Sequence, residues 1–428
     1  MNSQLEQMQR ATLECTFCGC CQAVCPVYAK VGVDAAASRG RLFQLRTLAE
    51  GKLKETPALA ESITRCTLCM ACKTVCPASI KTTDLFLKFR KHVADKEPLS
   101  PIKRMAFTSL RYRAFFEFAL RIGSFTQGLF FKKSELGNGY EARLPLPVAG
   151  LNKRRLIPRL AGVSLSRLAP EKSSPKGKVK ARVAFFPGCM LNYVYPKAGL
   201  AVINSLVTND VEVILPSPLS CCGTPFFTSG DFTSAAVLAK RNINILSGLG
   251  VDAVITACAT CGTALSHEYG LVLEEDSLRG TWEEMSKKVY DFAAFLVKYG
   301  YSERFSQVKR KVTYHDPCHL VRGMGVAEQP RKLIKTIPGV EFIEMRDADR
   351  CCGCAGTFSV GHYDLATSIN DDKIRNAATT EAELLITGCS ACRMHILDGM
   401  SRNNVPMQVA HTAELLAEAY AGKQRYHG

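Results

Sequence analysis

Apolar residues recur along this chain with two different periods, and the period changes at identifiable places. In SRGRLFQLRTLAEGKLK, Leu42, Leu45, Leu48 and Leu53 return at helical spacing, which predicts a helix with one buried face. TDLFLKFRKHVADK predicts a second helix that closes near Pro98. Residues 101–133 are aromatic and basic, and Phe107, Leu110, Ala114, Phe118, Ile122, Phe125 and Leu129 would make one apolar helical stripe, interrupted by Arg104 and Arg111. Residues 134–180, rich in Pro, Gly, Lys and Ser, read as a linker.

Beyond residue 180 short β-rich runs alternate with helical ones, twice over. VKARVAFFPGC ends at Cys189 and KRKVTYHDPC at Cys318; VEVIL and VEFIEM follow, then helices over 232–249 and 363–378, then VDAVITAC and AELLITGC. Cys189 to Cys318 is 129 residues, Cys221 to Cys351 is 130 and Cys258 to Cys389 is 131, so duplication is the simplest account. Strands alternating with helices predict parallel α/β sheets, whose ligands gather at the carboxyl ends of the strands.

The length of 428 residues predicts two or three domains. MNSQLEQMQRATLEC carries no apolar stretch after a basic start and no twin arginine, and the twenty cysteines sit in a long chain of ordinary globular composition. Both point to a reducing cytoplasm. No run approaches the roughly 18 apolar residues of a membrane span, so the expectation is a soluble chain or one lying on a surface. The net charge of +16 is concentrated: from Leu99 to Lys180 there are 17 Lys and Arg against 4 Asp and Glu. A field confined to one connecting segment argues against nucleic acid. It fits an anionic membrane face, an acidic partner, or equally a solvated linker. The amphipathic stripe likewise fits either a membrane interface or packing on a neighbouring domain or subunit.

Cysteine spacing changes the picture most. Eighteen of the twenty fall into four sets. Cys15, Cys18, Cys21, Cys25-Pro26 and Cys66, Cys69, Cys72, Cys76-Pro77 are both C-x2-C-x2-C-x3-C-P, the run that binds two cubane 4Fe-4S clusters with the fourth cysteine crossing to the other cluster. That predicts Cys15, Cys18, Cys21 and Cys76 around one cluster and Cys66, Cys69, Cys72 and Cys25 around the other. Zinc also takes four thiolates, but its sites usually pair two C-x2-C knuckles. The 40 residues from Pro26 to Arg65 form a long helical insert, which favours an α-helical ferredoxin arrangement over the compact β-connected one.

The other two sets are Cys189, Cys221, Cys222-Gly223, Cys258, Cys261 and Cys318, Cys351, Cys352-Gly353, Cys389, Cys392. Five thiols are one more than a cubane consumes, and adjacent cysteines serve different irons or a bridge more readily than one iron. Metal clusters in both halves, zinc in one, and a metal-free dithiol remain open. Cys20 and Cys354 read as spare thiols. His315, Asp316 and His319 in HDPCH read either as tuning groups for a cluster or as satisfied strand-end residues. No G-x-G-x-x-G follows a strand, and no Walker loop or Ser-His-Asp signature appears. The chain thus offers electron carriers and no recognisable hydride-handling site.

With CGCCQAVCPVY, SRGRLFQL, RCTLCMACKTVCP, SCCGTPF and CCGCAGTFSV in this order, nearly the whole chain resembles the iron-sulfur subunits of glycolate oxidase and D-lactate dehydrogenase complexes. Broader relatives are the anaerobic glycerol-3-phosphate dehydrogenase small subunit, a lactate utilisation protein and the heterodisulfide reductase catalytic subunit. The resemblance implies an α+β multidomain chain: an α-helical ferredoxin domain (1–98), a basic helical segment and linker (99–180), and two α/β, Rossmann-like CCG repeats (181–310 and 311–428). It implies that the eight N-terminal cysteines ligate the two cubanes, and that the CCG repeats hold one or two further, noncubane 4Fe-4S clusters. A separate FAD subunit would oxidise the 2-hydroxy acid and this chain would pass the electrons to quinone or another acceptor, in the cytoplasm or peripherally on the inner face of the cell membrane. Glycolate oxidase subunits often lack a cysteine of the first Cys-x2-Cys pair. Here Cys258 and Cys261 are both present, which leans toward the heterodisulfide reductase, whose complete sets cleave a disulfide.

Overall fold

The structure, a computed structural model, describes residues 3–97, 101–134, 139–143, 155–219 and 221–421. The domain boundary drawn at residue 98 and two stretches of the presumed linker, 135–138 and 144–154, lie outside the described residues. The amino-terminal portion is helical. Helix Ser38–Ala49 buries Leu42, Leu45 and Leu48. Leu53 falls beyond its end and is 41% exposed, because the helix stops at Ala49 and Gly51 turns the chain at φ +71°, a conformation that costs glycine little. Helix Pro57–Thr64 starts on Thr56, whose hydroxyl accepts from the Leu59 amide, with proline in the first turn. Helix Thr82–Lys96 buries Leu85, Phe86 and Phe89.

The aromatic and basic stretch forms two helices, Pro101–Arg111 and Arg113–Phe130, and not one. They part at Tyr112, which is extended. The predicted stripe divides accordingly. Phe107 is buried, its ring 4.6 Å from that of Phe226 in the first repeat, a burial worth about 2–3 kcal/mol. Phe118, Ile122, Phe125 and Leu129 are exposed. Among the described residues, no helix is long and apolar enough to cross a membrane.

The segment read as a linker carries structure of its own. Phe131–Lys133, Gly139–Ala142 and Ile157–Pro158 make a small antiparallel sheet, and Lys172–Ser173 joins the edge of the first repeat's sheet. The Leu156 amide donates to the buried Asp398 carboxylate at 2.7 Å, and Arg155 donates to the Ser359 carbonyl at 2.9 Å. Both contacts fasten this segment to the second repeat.

The chain is a mixed helix-and-sheet protein with the repeat visible in three dimensions. In the first half, strands Val211–Ile214, Ala181–Phe186, Ala253–Thr256 and Val289–Asp291 lie side by side in parallel. In the second, Val340–Phe342, Arg310–His315, Leu384–Thr387 and Gln408–His411 do the same in the same order. AVIT and LLIT are buried at every position, as strands covered on both faces must be. The two halves share one core. Helix Pro196–Thr208 packs on helix Thr412–Ala421, and Val202 and Leu206 join Leu415 and Leu416 in a single apolar cluster.

Candidate metal centres

Each amino-terminal cysteine loop is wound tightly by residues in the left-handed region: Phe17 (φ 54°) and Gly19 (φ 84°) in the first, Leu68 (φ 52°) and Met70 (φ 61°) in the second. Such turns let one short loop present several thiols to a common centre. Cys15, Cys18, Cys20, Cys21, Cys72 and Cys76 all line one pocket. Cys25 lies with the other set: burial first, and then the charges of Cys66 and Cys69, push its thiol up. Burial, then Cys66 and Cys69, push the Cys72 thiol up to about 12. Buried thiols that oppose one another's ionisation become stable thiolates only around positive charge. This donor set therefore fits a metal cluster.

In the repeats the cysteines sit at the carboxyl ends of the parallel strands. Cys258 and Cys389 each stand at the start of a helix directly after strands Ala253–Thr256 and Leu384–Thr387. Gly223 (φ 89°) and Gly353 (φ 88°) take the left-handed turn after the adjacent cysteines, and a side chain at Gly353 would meet the Ala366 carbonyl at 2.4 Å. Buried asparagines hold these turns from behind: Asn242 donates to the Cys221 carbonyl (3.1 Å) and Asn370 to the Cys352 carbonyl (2.9 Å). Sequence reading missed both, since an asparagine inside a helix carries no distinctive signal.

The sulfurs form one connected line. Cys189 contacts Cys221, Cys221 contacts Cys222, and Cys222 contacts Cys261; Cys318, Cys351, Cys352 and Cys392 repeat the series, with 3.3 Å between Cys352 and Cys392 Sγ. Cys258 and Cys389 Sγ lie 4.0 Å apart across the two halves. At the other end, Cys69 of the second amino-terminal loop contacts Cys351. Cys222 and Cys352 are held well below the usual thiol range, first by hydrogen bonds from their neighbours Cys221 and Cys351. Hydrogen bonding to Cys189 and Cys222, then burial, drives Cys221 well above it.

The flanks of Cys318 divide by role. Asp316 makes a buried two-pronged ion pair with Arg331 (2.9 and 2.6 Å). His319 Nε2 lies 3.3 Å from the Leu68 carbonyl, bridging the second repeat to the second amino-terminal cysteine loop. His315 is fully buried, and its ring lies with the Cys352 and Cys392 sulfurs inside 4.8 Å. Cys20 is exposed, and Cys354 is buried with its thiol pushed up mainly by burial.

Beside Cys189 and Cys221 a cleft of about 550 Å³ opens, walled by Leu110 and Phe116 of the aromatic helices and by Tyr193. The Tyr193 hydroxyl donates to Glu117 Oε1 at 2.8 Å. Arg90 joins the amino-terminal portion to the first repeat: its buried guanidinium donates to the carbonyls of Thr64 and Cys66 (2.6 Å each) and of Thr228 (2.8 Å).

Comparison with known proteins agrees with this layout. Residues 11–80 match the 4Fe-4S dicluster domain family, and residues 183–266 and 312–397 match the cysteine-rich domain family. A probable glycolate oxidase iron-sulfur subunit of Bacillus subtilis is 31% identical over 96% of this chain and 94% of its own length. A dihydromethanophenazine:CoB–CoM heterodisulfide reductase subunit of Methanosarcina mazei is 27% identical over 95% and 93%. Lactate utilization protein A 1 of Bacillus mycoides is 31% identical over 55% of this chain and 97% of its own length. A dicluster domain and two cysteine-rich domains on one chain make it a carrier of multiple 4Fe-4S clusters.

Proposed function

The chain belongs to the family of glycolate oxidase iron-sulfur subunits, and from that premise we propose that it takes electrons from a separate FAD-containing subunit that oxidises glycolate or D-lactate, and passes them to quinone or another acceptor. It is an iron-sulfur electron-transfer subunit of an oxidoreductase complex with a catalytic partner subunit. When bound, the clusters supply one-electron carriers. Cys15, Cys18, Cys21 and Cys76 ligate one cubane and Cys66, Cys69, Cys72 and Cys25 the other; the ten cysteines of the repeats hold the noncubane centres. The domains run 1–98, 99–180, 181–310 and 311–428, the last two Rossmann-like, a reading supported by their identical parallel strand order.

One observation carries this reading: the unbroken line of sulfurs from Cys69 to Cys351 and from Cys389 to Cys258. Electron carriers held at contact spacing suit relay. The test is to purify the chain with the products of its neighbouring genes and locate the flavin. FAD in a partner supports the division of labour; oxidation of lactate or glycolate by the isolated chain would overturn it.

The cleft at Cys189 and the exposed Phe118, Ile122, Phe125 and Leu129, on a helix bearing Arg113 and Arg121, support a lipid-borne acceptor and peripheral attachment to the inner face of the cell membrane. Unchanged binding to anionic vesicles after deleting residues 103–133 would discard the attachment. A second reading, disulfide cleavage between the repeats, draws support from complete five-cysteine sets meeting at Cys258 and Cys389. It requires that reduced protein alone cleave a heterodisulfide, and that Cys221→Ala or Cys351→Ala abolish the cleavage.

A further inference from the structure

The two repeats can be compared position by position, and one buried place beside the sulfurs holds very different side chains in the two. Strand Ala181–Phe186 ends in Phe186, three residues before Cys189; strand Arg310–His315 ends in His315, three residues before Cys318. Each end residue pairs with the equivalent threonine, Phe186 with Thr256 and His315 with Thr387. Both are completely buried. A benzyl ring there closes the first site with carbon, whereas an imidazole brings two nitrogens to the second.

The orientation of that imidazole is fixed. Nδ1 lies 3.2 Å from the Ala348 carbonyl, which can only accept, so Nδ1 carries the proton. In a neutral ring Nε2 is then a bare lone pair. Nε2 has no hydrogen-bond partner among the described residues. One ring nitrogen of His315 and the Sγ atoms of Cys352 and Cys392 lie within 4.8 Å of one another, the two sulfurs 3.3 Å apart. Donors around one metal atom, at bonds of about 2.0 Å to nitrogen and 2.3 Å to sulfur, are separated by roughly such distances. A histidine whose Nδ1–H is held by a carbonyl and whose Nε2 is free has the usual arrangement of a metal ligand.

The geometry points to His315 Nε2 as a ligand of the metal in the second repeat, beside Cys352 and Cys392, so that the two repeats hold unequal centres: sulfur alone in the first, nitrogen and sulfur in the second. This rests on the reading of the repeats as metal-bearing. Along the line of sulfurs the second repeat stands between the Cys69 loop and the first repeat.

The test uses the full chain, purified anaerobically with its metal, with histidine labelled with nitrogen-15. Pulsed EPR of the partly reduced protein is expected to show a coupled nitrogen that responds to the label. His315→Phe, which copies Phe186, is expected to abolish that coupling and to leave the signal of the first repeat unchanged. His315→Gln keeps a buried polar side chain without a ring nitrogen, and is expected to lose the coupling while retaining the thermal stability of the parent. Should metal analysis find zinc in the second repeat, absorption at the zinc edge must show nitrogen bound to the metal, lost in the same variants. Sulfur-only surroundings, or a nitrogen signal that survives both substitutions, overturn the assignment while leaving the electron-transfer reading intact. Absence of metal from both repeats would instead overturn the reading on which it rests.

Discussion

Cys258 and Cys389 are 131 residues apart in the chain, yet their sulfurs approach to 4.0 Å. The Ala259 amide also donates to the Gly388 carbonyl at 3.1 Å, so backbone as well as side chain closes the junction between the repeats. Centres joined in this way cannot be altered independently. Cys258→Ser is expected to change the EPR signals of both repeats, whereas Cys189→Ser, at the far end of the first set, should change one. Confinement of the Cys258→Ser effect to the first repeat would contradict this.

Arg90 places one cation among three carbonyls from two domains, and burial lowers its pKa to about 10 without discharging it at neutral pH. Arg90→Met leaves those carbonyls without a donor. The expected loss is on the order of 3 kcal/mol, visible in thermal unfolding, with faster release of iron from the Cys66 loop. Arg90→Lys, with fewer donors and no fork, should fall between.

Glu268 is buried in the first repeat near its cysteines, and its Oε2 has no hydrogen-bond partner among the described residues. Burial above all, then the negative charges of Cys222 and Asp84, raise its pKa to about 8. Below pH about 4.5 the folded and unfolded chains both hold this proton, so it makes no difference. Between about 4.5 and 8 the unfolded chain has released it and the folded chain has not, and stability falls as pH rises; above 8 the cost is constant. Glu268→Gln removes the cost, so its advantage in Tm should be near zero at pH 4.5 and grow to a plateau above pH 8, worth on the order of 5 kcal/mol. Equal Tm values across pH 5 to 9 would contradict the buried neutral acid.

The two ends of the aromatic helices make opposite predictions. Phe107→Ala empties a site against Phe226 and should cost about 3 kcal/mol of stability. Phe125→Ser, at a side chain 83% exposed, should leave Tm unchanged and weaken binding to anionic vesicles severalfold, measured by flotation.

Cysteine spacing made the four cysteine sets legible in the sequence, and the 129- to 131-residue period made the repeat legible, because both are one-dimensional signals. Strand positions followed from apolar runs such as VITAC and LLITGC. What stayed hidden depends on contacts between distant segments. Nothing local marks Tyr112 as a helix break, and the short strands between 131 and 173 pair only through their neighbours. Arg90 looks like any helical arginine until Thr228 meets it, and His315 is one of three candidate residues in HDPCH until Cys392 comes within reach of it.

Helix Pro196–Thr208 of the first repeat rests on helix Thr412–Ala421 of the second, within one apolar cluster. Duplicated genes usually leave halves that can be separated, each with its own interior. Here the interior is jointly owned. A larger side chain at Val202 enlarges a cluster that Leu415 and Leu416 also build, so a change in one repeat is felt in the packing of the other. The unit of stability is therefore the pair.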